Sequence, residues 1–344
     1  MGEDGERVTV DTFIQAGVFG VVSGAAGAAF IRRYAGRLGL IDAPNERSSH
    51  RTPTPRGGGA GLWSGFVLYS VFIIKDLAVM PGGLLTGVLG LVEDRYSLSS
   101  GLRLVLQATV AALAVLLLMG VPSGVPGVLA LALWTVFIAG TANFYNFMDG
   151  ANGMAGLTGA VAFGGLALFA FFIAGDGASA AACTFIAFAC CGFLPFNIPA
   201  AHVFMGDSGS LFLGFEFAFF TARLSASFGA FLCVMMFLSL FYADCLTTLL
   251  VRWSRGAAVT EAHRDHLYQY LCNELGVAQW KVSALYAAAQ SAIIALSIAA
   301  YARGIVWQLA FFCLFCVAFL FVYRAVKVRK PVEAHGGKTV RSAS

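Results

Sequence analysis

The chain has 344 residues, 59% of them hydrophobic and 12% charged, with a formal net charge of +4 and a mean hydropathy of +0.79. Those values lie outside the range of soluble globular chains and leave an integral membrane protein as the class that fits, with the bilayer as its surroundings and no nucleic acid as a partner.

A spanning helix needs roughly 20 mostly apolar residues, because no lipid-exposed backbone group can go without a partner in hydrocarbon. In chain order such stretches predict eleven transmembrane helices, over 12–31, 59–74, 77–92, 101–119, 125–142, 154–174, 178–196, 209–224, 228–250, 281–301 and 305–323. The third carries Pro81, Gly82, Gly83, Gly87 and Gly90 and is the weakest, so ten is the alternative count. The fold class is therefore all-α and polytopic. A single domain over 1–328 is followed by a polar tail, 329–344, whose Gly, Ser and Lys content cannot bury a core and predicts disorder. The acidic start, Met1 to Glu6, lacks the basic region of a signal peptide, so the first span is expected to remain as an anchor.

Charge placement orients the helices. With the N-terminus outside, 18 of the 22 Lys and Arg residues fall in or beside segments on the inner side, and only Arg7, Lys75, Arg223 and Arg303 on the other. The positive-inside rule then predicts a periplasmic N-terminus and a cytosolic C-terminus. The eight cysteines lie almost wholly in apolar spans, only Cys272 clearly in a loop, which suits packing better than zinc or a disulfide framework.

Five polar segments interrupt this apolar chain, all after odd-numbered spans and so all on one predicted face. In the first, Ile41 to Gly59, prolines stiffen the chain, Gly57, Gly58 and Gly59 let backbone N–H groups approach a ligand, and arginines including Arg56 supply charge suited to phosphate. The second ends a span with Glu93 and Asp94, hard oxygen ligands at a membrane edge; a solvated helix end with Asp94 beside Arg95 is the plainer alternative. In the third, Asn143, Asn146 and Asp149 recur at helical spacing and share a face, with Asn152 following. Such groups are costly in hydrocarbon unless they meet a ligand or one another, so an interhelical hydrogen-bonded cluster competes with a site.

The fourth, Met205-Gly206-Asp207-Ser208-Gly209-Ser210, predicts a tight turn opening a helix. Asp207 and Ser208 are either ordinary caps or, respectively, a metal ligand and part of a helix N-terminus facing phosphate. The fifth, Glu261 to Gln269, holds His263, Arg264 and His266; with no third ligand for zinc, contact with phosphate or nucleotide fits better, against a solvated surface. Two further acids lie within spans. Asp244 divides evenly between supporting the site and a structural polar contact, and Glu216 has no evident partner.

Taken in order, Pro44-Asn45-Glu46-Arg47-Ser48-Ser49-His50, Pro53-Thr54-Pro55-Arg56-Gly57-Gly58-Gly59, Tyr145-Asn146-Phe147-Met148-Asp149-Gly150, Phe204-Met205-Gly206-Asp207-Ser208-Gly209-Ser210 and Glu261-Ala262-His263-Arg264-Asp265-His266-Leu267-Tyr268-Gln269 resemble the polyprenyl-phosphate N-acetylhexosamine-1-phosphate transferase family of bacterial membranes, glycosyltransferase family 4. The likeness runs from about Asp42 to Gln269 and is closest to the branch that initiates O-antigen chains. It implies a multi-pass enzyme of the bacterial inner membrane, a UDP-N-acetylhexosamine:undecaprenyl-phosphate sugar-1-phosphate transferase with its catalytic domain over 1–328 and its active site on the cytosolic face. The products are UMP and the lipid-linked first sugar of O-antigen or a related surface polysaccharide. Mg²⁺ is the implied cofactor, with Mn²⁺ as a substitute, and a homodimer would be in keeping with the family.

Position by position, the resemblance implies catalytic roles for Asp94, Glu93 and Asp149, and metal binding by Asp207, Asp149 and Asn146. It implies substrate binding by His263, Arg264, His266, Arg56, Asn143, Asn152 and Ser208. Two positions depart from the family pattern, which usually has Asp where Glu93 stands and commonly a second Asp where Asn152 stands. Asn152 cannot act as a base, which shifts the role of orienting or deprotonating the acceptor phosphate to Asp94, with direct attack by the lipid phosphate rather than a covalent aspartyl intermediate. A transporter or lipid flippase would instead place polar groups mid-span and near both faces, and an inactive assembly scaffold is encouraged only by Glu93 and Asn152.

Overall fold

The computed structural model describes residues 9–44, 52–76, 79–96, 98–256 and 264–327; Asn45 to Arg51, Glu261, Ala262, His263 and the tail predicted over 329–344 lie outside them. Every stretch predicted as a span is helical along most of its described residues. In chain order the elements are α1 (Val10–Leu38), the strands β1 (Ile41–Asp42) and β2 (Thr54–Pro55), α2 (Ala60–Tyr69, extended by a π-turn over Ser70–Ile74), α3 (Met80–Tyr96), α4 (Ser100–Met119), α5 (Gly124–Met148), α6 (Met154–Phe169, with a π-turn over Ala170–Ala174), α7 (Gly177–Phe193), α8 (Asp207–Leu224), α9 (Phe228–Met235), α10 (Ser239–Ser254), the short α11 (Leu267–Asn273), α12 (Gln279–Ala302) and α13 (Ile305–Lys327). The strands form an antiparallel pair with Ile41 opposite Pro55 and Asp42 opposite Thr54.

Among the described residues, eight helices, with α9 and α10 counted as one through the intervening 3₁₀ turn, are long and apolar enough to cross a membrane. The chain is thus a polytopic, all-helical membrane protein. Of the eleven predicted spans, those at α2, α3 and α8 are the shorter or more polar ones. Large apolar side chains such as Phe72, Leu133, Phe172, Val306 and Phe321 stand exposed on the outer surface, as a lipid-facing belt requires.

The centre of the bundle is α8, buried without a break from Ser208 to Thr221. A helix apolar around its whole circumference belongs in an interior, and α3 and α5 pack along it. The glycines that weakened the third span in sequence explain that packing. A Cβ on Gly90 would collide with the backbone of Asp207 and Ser208, and one on Gly82 or Gly83 would meet Phe215 or Glu216. On the α5 side, a Cβ on Gly214 would lie 2.7 Å from the Ala142 Cα. Such close approach brings the polar end of α3 onto the start of α8.

Both ends of α8 are tied by charge. At its far end Arg223 reaches Asp76, in the connection after α2, and Asp176, which caps α7 by accepting the Ser179 N–H at 2.9 Å. The 18 residues from Asp207 to Leu224 put about 25 Å of helix between the two ends. Glu216 is fully buried beside Gly83 and has no hydrogen-bond partner among the described residues. Nothing in the structure explains a carboxyl there. The eight cysteines are all free thiols, four of them buried.

Candidate active site

The first turn of a helix leaves N–H groups without an intrahelical partner and carries the positive end of the helix dipole. At α8 a carboxylate of the chain itself meets this need. Asp94, at the polar end of α3, accepts the Asp207 N–H at 3.0 Å and the Ser208 N–H at 3.1 Å, one on each oxygen. Gly206, at φ +76°, makes the turn that allows it, since a Cβ there would sit 2.5 Å from Asp94 Oδ2. Arg56 closes the corner: its Nε donates to the Asp94 carbonyl at 2.7 Å, its Nη2 to the Glu93 carbonyl at 3.1 Å, and Nε lies 3.5 Å from Asp94 Oδ1.

Two expectations are corrected here. The α8 N-terminus does not present these amides to a phosphate, because Asp94 holds them. Nor do Gly58 and Gly59 offer theirs: Gly58 donates to the Phe204 carbonyl at 2.9 Å and Gly59 to that of Met205 at 2.8 Å, and Gly59 faces Gly209 so closely that only glycines fit. The glycine run serves close backbone packing that fixes the 203–207 turn.

Beside this corner opens a cavity of 680 Å³. Of the residues expected at a site, Arg56, Asp94, Asn146, Asp149, Asn152, Asp207 and Arg264 line it, drawn from all five polar segments. The amide of Asn146 is oriented by its partners. Its Nδ2 donates to Asp207 Oδ1 and to Ser210 Oγ, both at 2.9 Å, which leaves its carbonyl oxygen as a ligand atom. Asp149 follows the last residue of α5, and Asp207 opens α8; both are half-buried.

The acids repel one another. Burial, and next the Asp207 charge, push the Asp94 carboxyl up to about 7 against the opposing pull of the Ser208 and Asp207 N–H groups and Arg56. Burial, then Asp207 and Asp94, push Asp149 well above the usual carboxylate range. Carboxylates so arranged are short of positive charge, the condition a divalent cation relieves. Among the described residues no three Asp, Glu, His or Cys side chains form a metal cage. Mg²⁺ does not need one, since it takes one or two carboxylates and completes its shell with water and substrate phosphates. The donor set of Asp149, Asp207 and the Asn146 oxygen fits such a cation.

Four residues expected to touch substrate or take part in chemistry are placed elsewhere. Glu93 is buried, 3.5 Å from Arg103, and its carboxyl is pushed to about 7 by burial and by Asp207. Asn143 donates to Gln107 Oε1 and to the Ala139 carbonyl, the interhelical contact that was the competing reading of its position. Ser208 is fully buried behind Asp94. His266 is buried too, its Nδ1 3.5 Å from Asp244 and its ring stacked on Tyr268. The cavity in turn has walls that were not anticipated: Asp42, Asn197, Gln269 and Gln279. Gln279 Oε1 accepts the Asn152 N–H at 3.0 Å, and Asn197 Oδ1 accepts that of Gly153, so two amides pin the turn after Asp149. Only Asp42 and Gln269 fell inside a segment singled out in sequence; a glutamine opening α12 carries no signal.

Comparison with known proteins places these features. Residues 77–225 match the family model described as "Glycosyl transferase family 4". A decaprenyl-phosphate N-acetylglucosaminephosphotransferase of Mycobacterium tuberculosis (strain ATCC 25618 / H37Rv) is 32% identical over 55% of this chain and 54% of its own length. A probable undecaprenyl-phosphate N-acetylglucosaminyl 1-phosphate transferase of Bacillus subtilis (strain 168) is 29% identical over 54% and 56%. A phospho-N-acetylmuramoyl-pentapeptide-transferase of Halalkalibacterium halodurans is 30% identical over 61% of this chain and 73% of its own. The chain thus spans about half the length of the first two relatives and nearly three quarters of the third.

Proposed function

The chain belongs to glycosyl transferase family 4, and from that premise we propose that it transfers an N-acetylhexosamine-1-phosphate from a UDP-sugar to undecaprenyl phosphate, releasing UMP. The observation that carries this reading is convergence: polar residues from five segments spread over Asp42 to Gln269 meet in one cavity at one end of the bundle. Such a reaction must bring two phosphate-bearing substrates together at the membrane edge, and the cavity supplies what that requires.

Arg56 and Arg264 provide cationic hydrogen-bond donors for the phosphates. Asp149, Asp207 and the Asn146 carbonyl would hold Mg²⁺, with Mn²⁺ as a substitute; when bound, the metal neutralises charge developing on the departing UMP. Asp94 is the keystone of the corner rather than a free base, because both its oxygens hold α8. Asp149 is then the carboxylate left to orient the acceptor phosphate for direct attack.

Membrane placement follows the charge pattern: eleven spans in the bacterial inner membrane, the N-terminus periplasmic, the C-terminus and cavity cytosolic, and a single catalytic domain over 1–328. The product would be the first lipid-linked sugar of O-antigen or a related surface polysaccharide. A flippase would need acids along a path between the two ends. Here the cavity acids gather at one end of α8, and at the other Arg223 closes Asp76 and Asp176.

The test is a donor panel. Purified protein with undecaprenyl phosphate and labelled UDP-GlcNAc, UDP-GalNAc, UDP-QuiNAc, UDP-FucNAc or UDP-MurNAc-pentapeptide should give labelled lipid and equimolar UMP with one of them. EDTA should abolish the transfer and Mg²⁺ restore it. No labelled lipid from any donor would overturn the enzyme reading, and EDTA-resistant turnover would remove the metal.

A further inference from the structure

We propose that Asp244, which does not line the cavity, is a positioning residue for it, acting through Tyr268 on the end of α5; the inference rests on the transferase reading of the site. Asp244 is fully buried in α10, where a carboxylate is costly unless closely bonded. Its Oδ1 accepts the Leu267 N–H at 2.8 Å, and its Oδ2 accepts the Tyr268 N–H at 3.2 Å and the Tyr286 hydroxyl at 2.9 Å. One side chain of a membrane helix thereby fixes both the start of α11 and the face of α12.

What it fixes are cavity walls. The Tyr268 hydroxyl donates to the Phe147 carbonyl at 3.0 Å, two residues before Asp149, and occupies the space a Cβ on Gly150 would take. The segment seated in this way carries Arg264 and Gln269 into the cavity. On the α12 side, Gln279 Oε1 and Ser283 Oγ bind the backbone of Asn152 at 3.0 and 2.8 Å. The turn from Asp149 to Asn152 is therefore held from both sides by elements docked on Asp244.

The chemistry of the contact requires a carboxylate. Asparagine keeps the volume but has one acceptor oxygen and an NH₂ group, so one of the N–H groups of Leu267 and Tyr268 would face another donor. The second acceptor is lost, and with it the register of α11 on α5. A shift of an ångström in a group set to orient a phosphate is enough to cost a large factor in rate.

The experiment compares Asp244→Asn, Asp244→Glu and Tyr268→Phe with the wild type, in folded protein purified in detergent. Asp244→Asn should lower kcat about 30-fold or more, with the KM for undecaprenyl phosphate within about threefold, and Tyr268→Phe should lower kcat roughly tenfold. Asp244→Glu, which keeps both acceptors, should recover part of the loss. A purely structural role predicts a lower melting temperature with kcat of the surviving folded protein within about twofold of wild type, which would overturn the inference. Tyr268→Phe, lacking only a hydroxyl, carries the same comparison if Asp244→Asn does not accumulate. Hydrogen exchange separates this inference from the function it rests on. Amides 147–153 should lose protection in Asp244→Asn and Tyr268→Phe whatever the substrate, and unchanged protection would overturn the positioning role even if the wild type is an active transferase.

Discussion

Asp207→Asn is expected to lower kcat about a thousandfold, equivalent to roughly 4 kcal/mol of transition-state stabilisation, while the melting temperature stays close to that of the wild type. The substitution keeps volume and keeps an oxygen to accept the Asn146 Nδ2, so the contact at 2.9 Å survives. The Asp94 contact survives too, because it uses the backbone N–H of residue 207 and not its side chain. What disappears is one unit of negative charge in the donor set with Asp149. Steady-state turnover against Mg²⁺ concentration is the measurement. Activity within tenfold of wild type would remove Asp207 from the cation site.

Asp94→Ala should behave differently, losing stability as well as activity. The carboxylate is almost wholly buried, caps two N–H groups of α8 and lies beside Arg56. Removing the shared acceptor leaves two α8 N–H groups unsatisfied, at about 1–3 kcal/mol for each, while Arg56 keeps its two backbone carbonyls. The consequence reaches beyond that corner, since α8 is the helix on which α3 and α5 pack. Denaturant or thermal unfolding in detergent should show a loss of this size, alongside a loss of turnover. An Asp94→Ala protein as stable as wild type would contradict the keystone role and restore Asp94 as a free catalytic carboxylate.

The contrast between these two acids shows what could and could not be read from the chain. Helices were legible because apolar runs of spanning length have few other solutions. Even the glycine-rich α3 was found, although the reason for its glycines, contact with the α8 backbone at Gly90, needed the neighbour in place. Convergence of the five segments was legible from their shared side. The division of labour within them was not. Asp94 and Asp207 are both acids at helix ends in sequence and both line the cavity, and only the fold commits the oxygens of the first to backbone amides.

His266 failed for the same reason. A histidine beginning α11 can face either way, and it turns toward Asp244. Gln279 was missed because it precedes an apolar helix without any pattern of its own, and its part is to hold the Asn152 backbone from a distance of 127 residues in sequence. Asn143 and Asn146 share a helix face, yet Asn143 meets Gln107 on α4 while Asn146 meets Asp207. Spacing identifies a face, and the neighbouring helices decide what each residue on it does.

In the proposed reaction the sugar moves together with its phosphate, by direct attack of the lipid phosphate at the cavity. The most direct measurement follows a UDP-sugar carrying ³²P in its β-phosphate, incubated with the protein, Mg²⁺ and undecaprenyl phosphate. The label should pass with the sugar into the lipid, UMP should be released unlabelled, and the protein should stay unlabelled. Label remaining in water as UDP, or trapped on the protein, would contradict it.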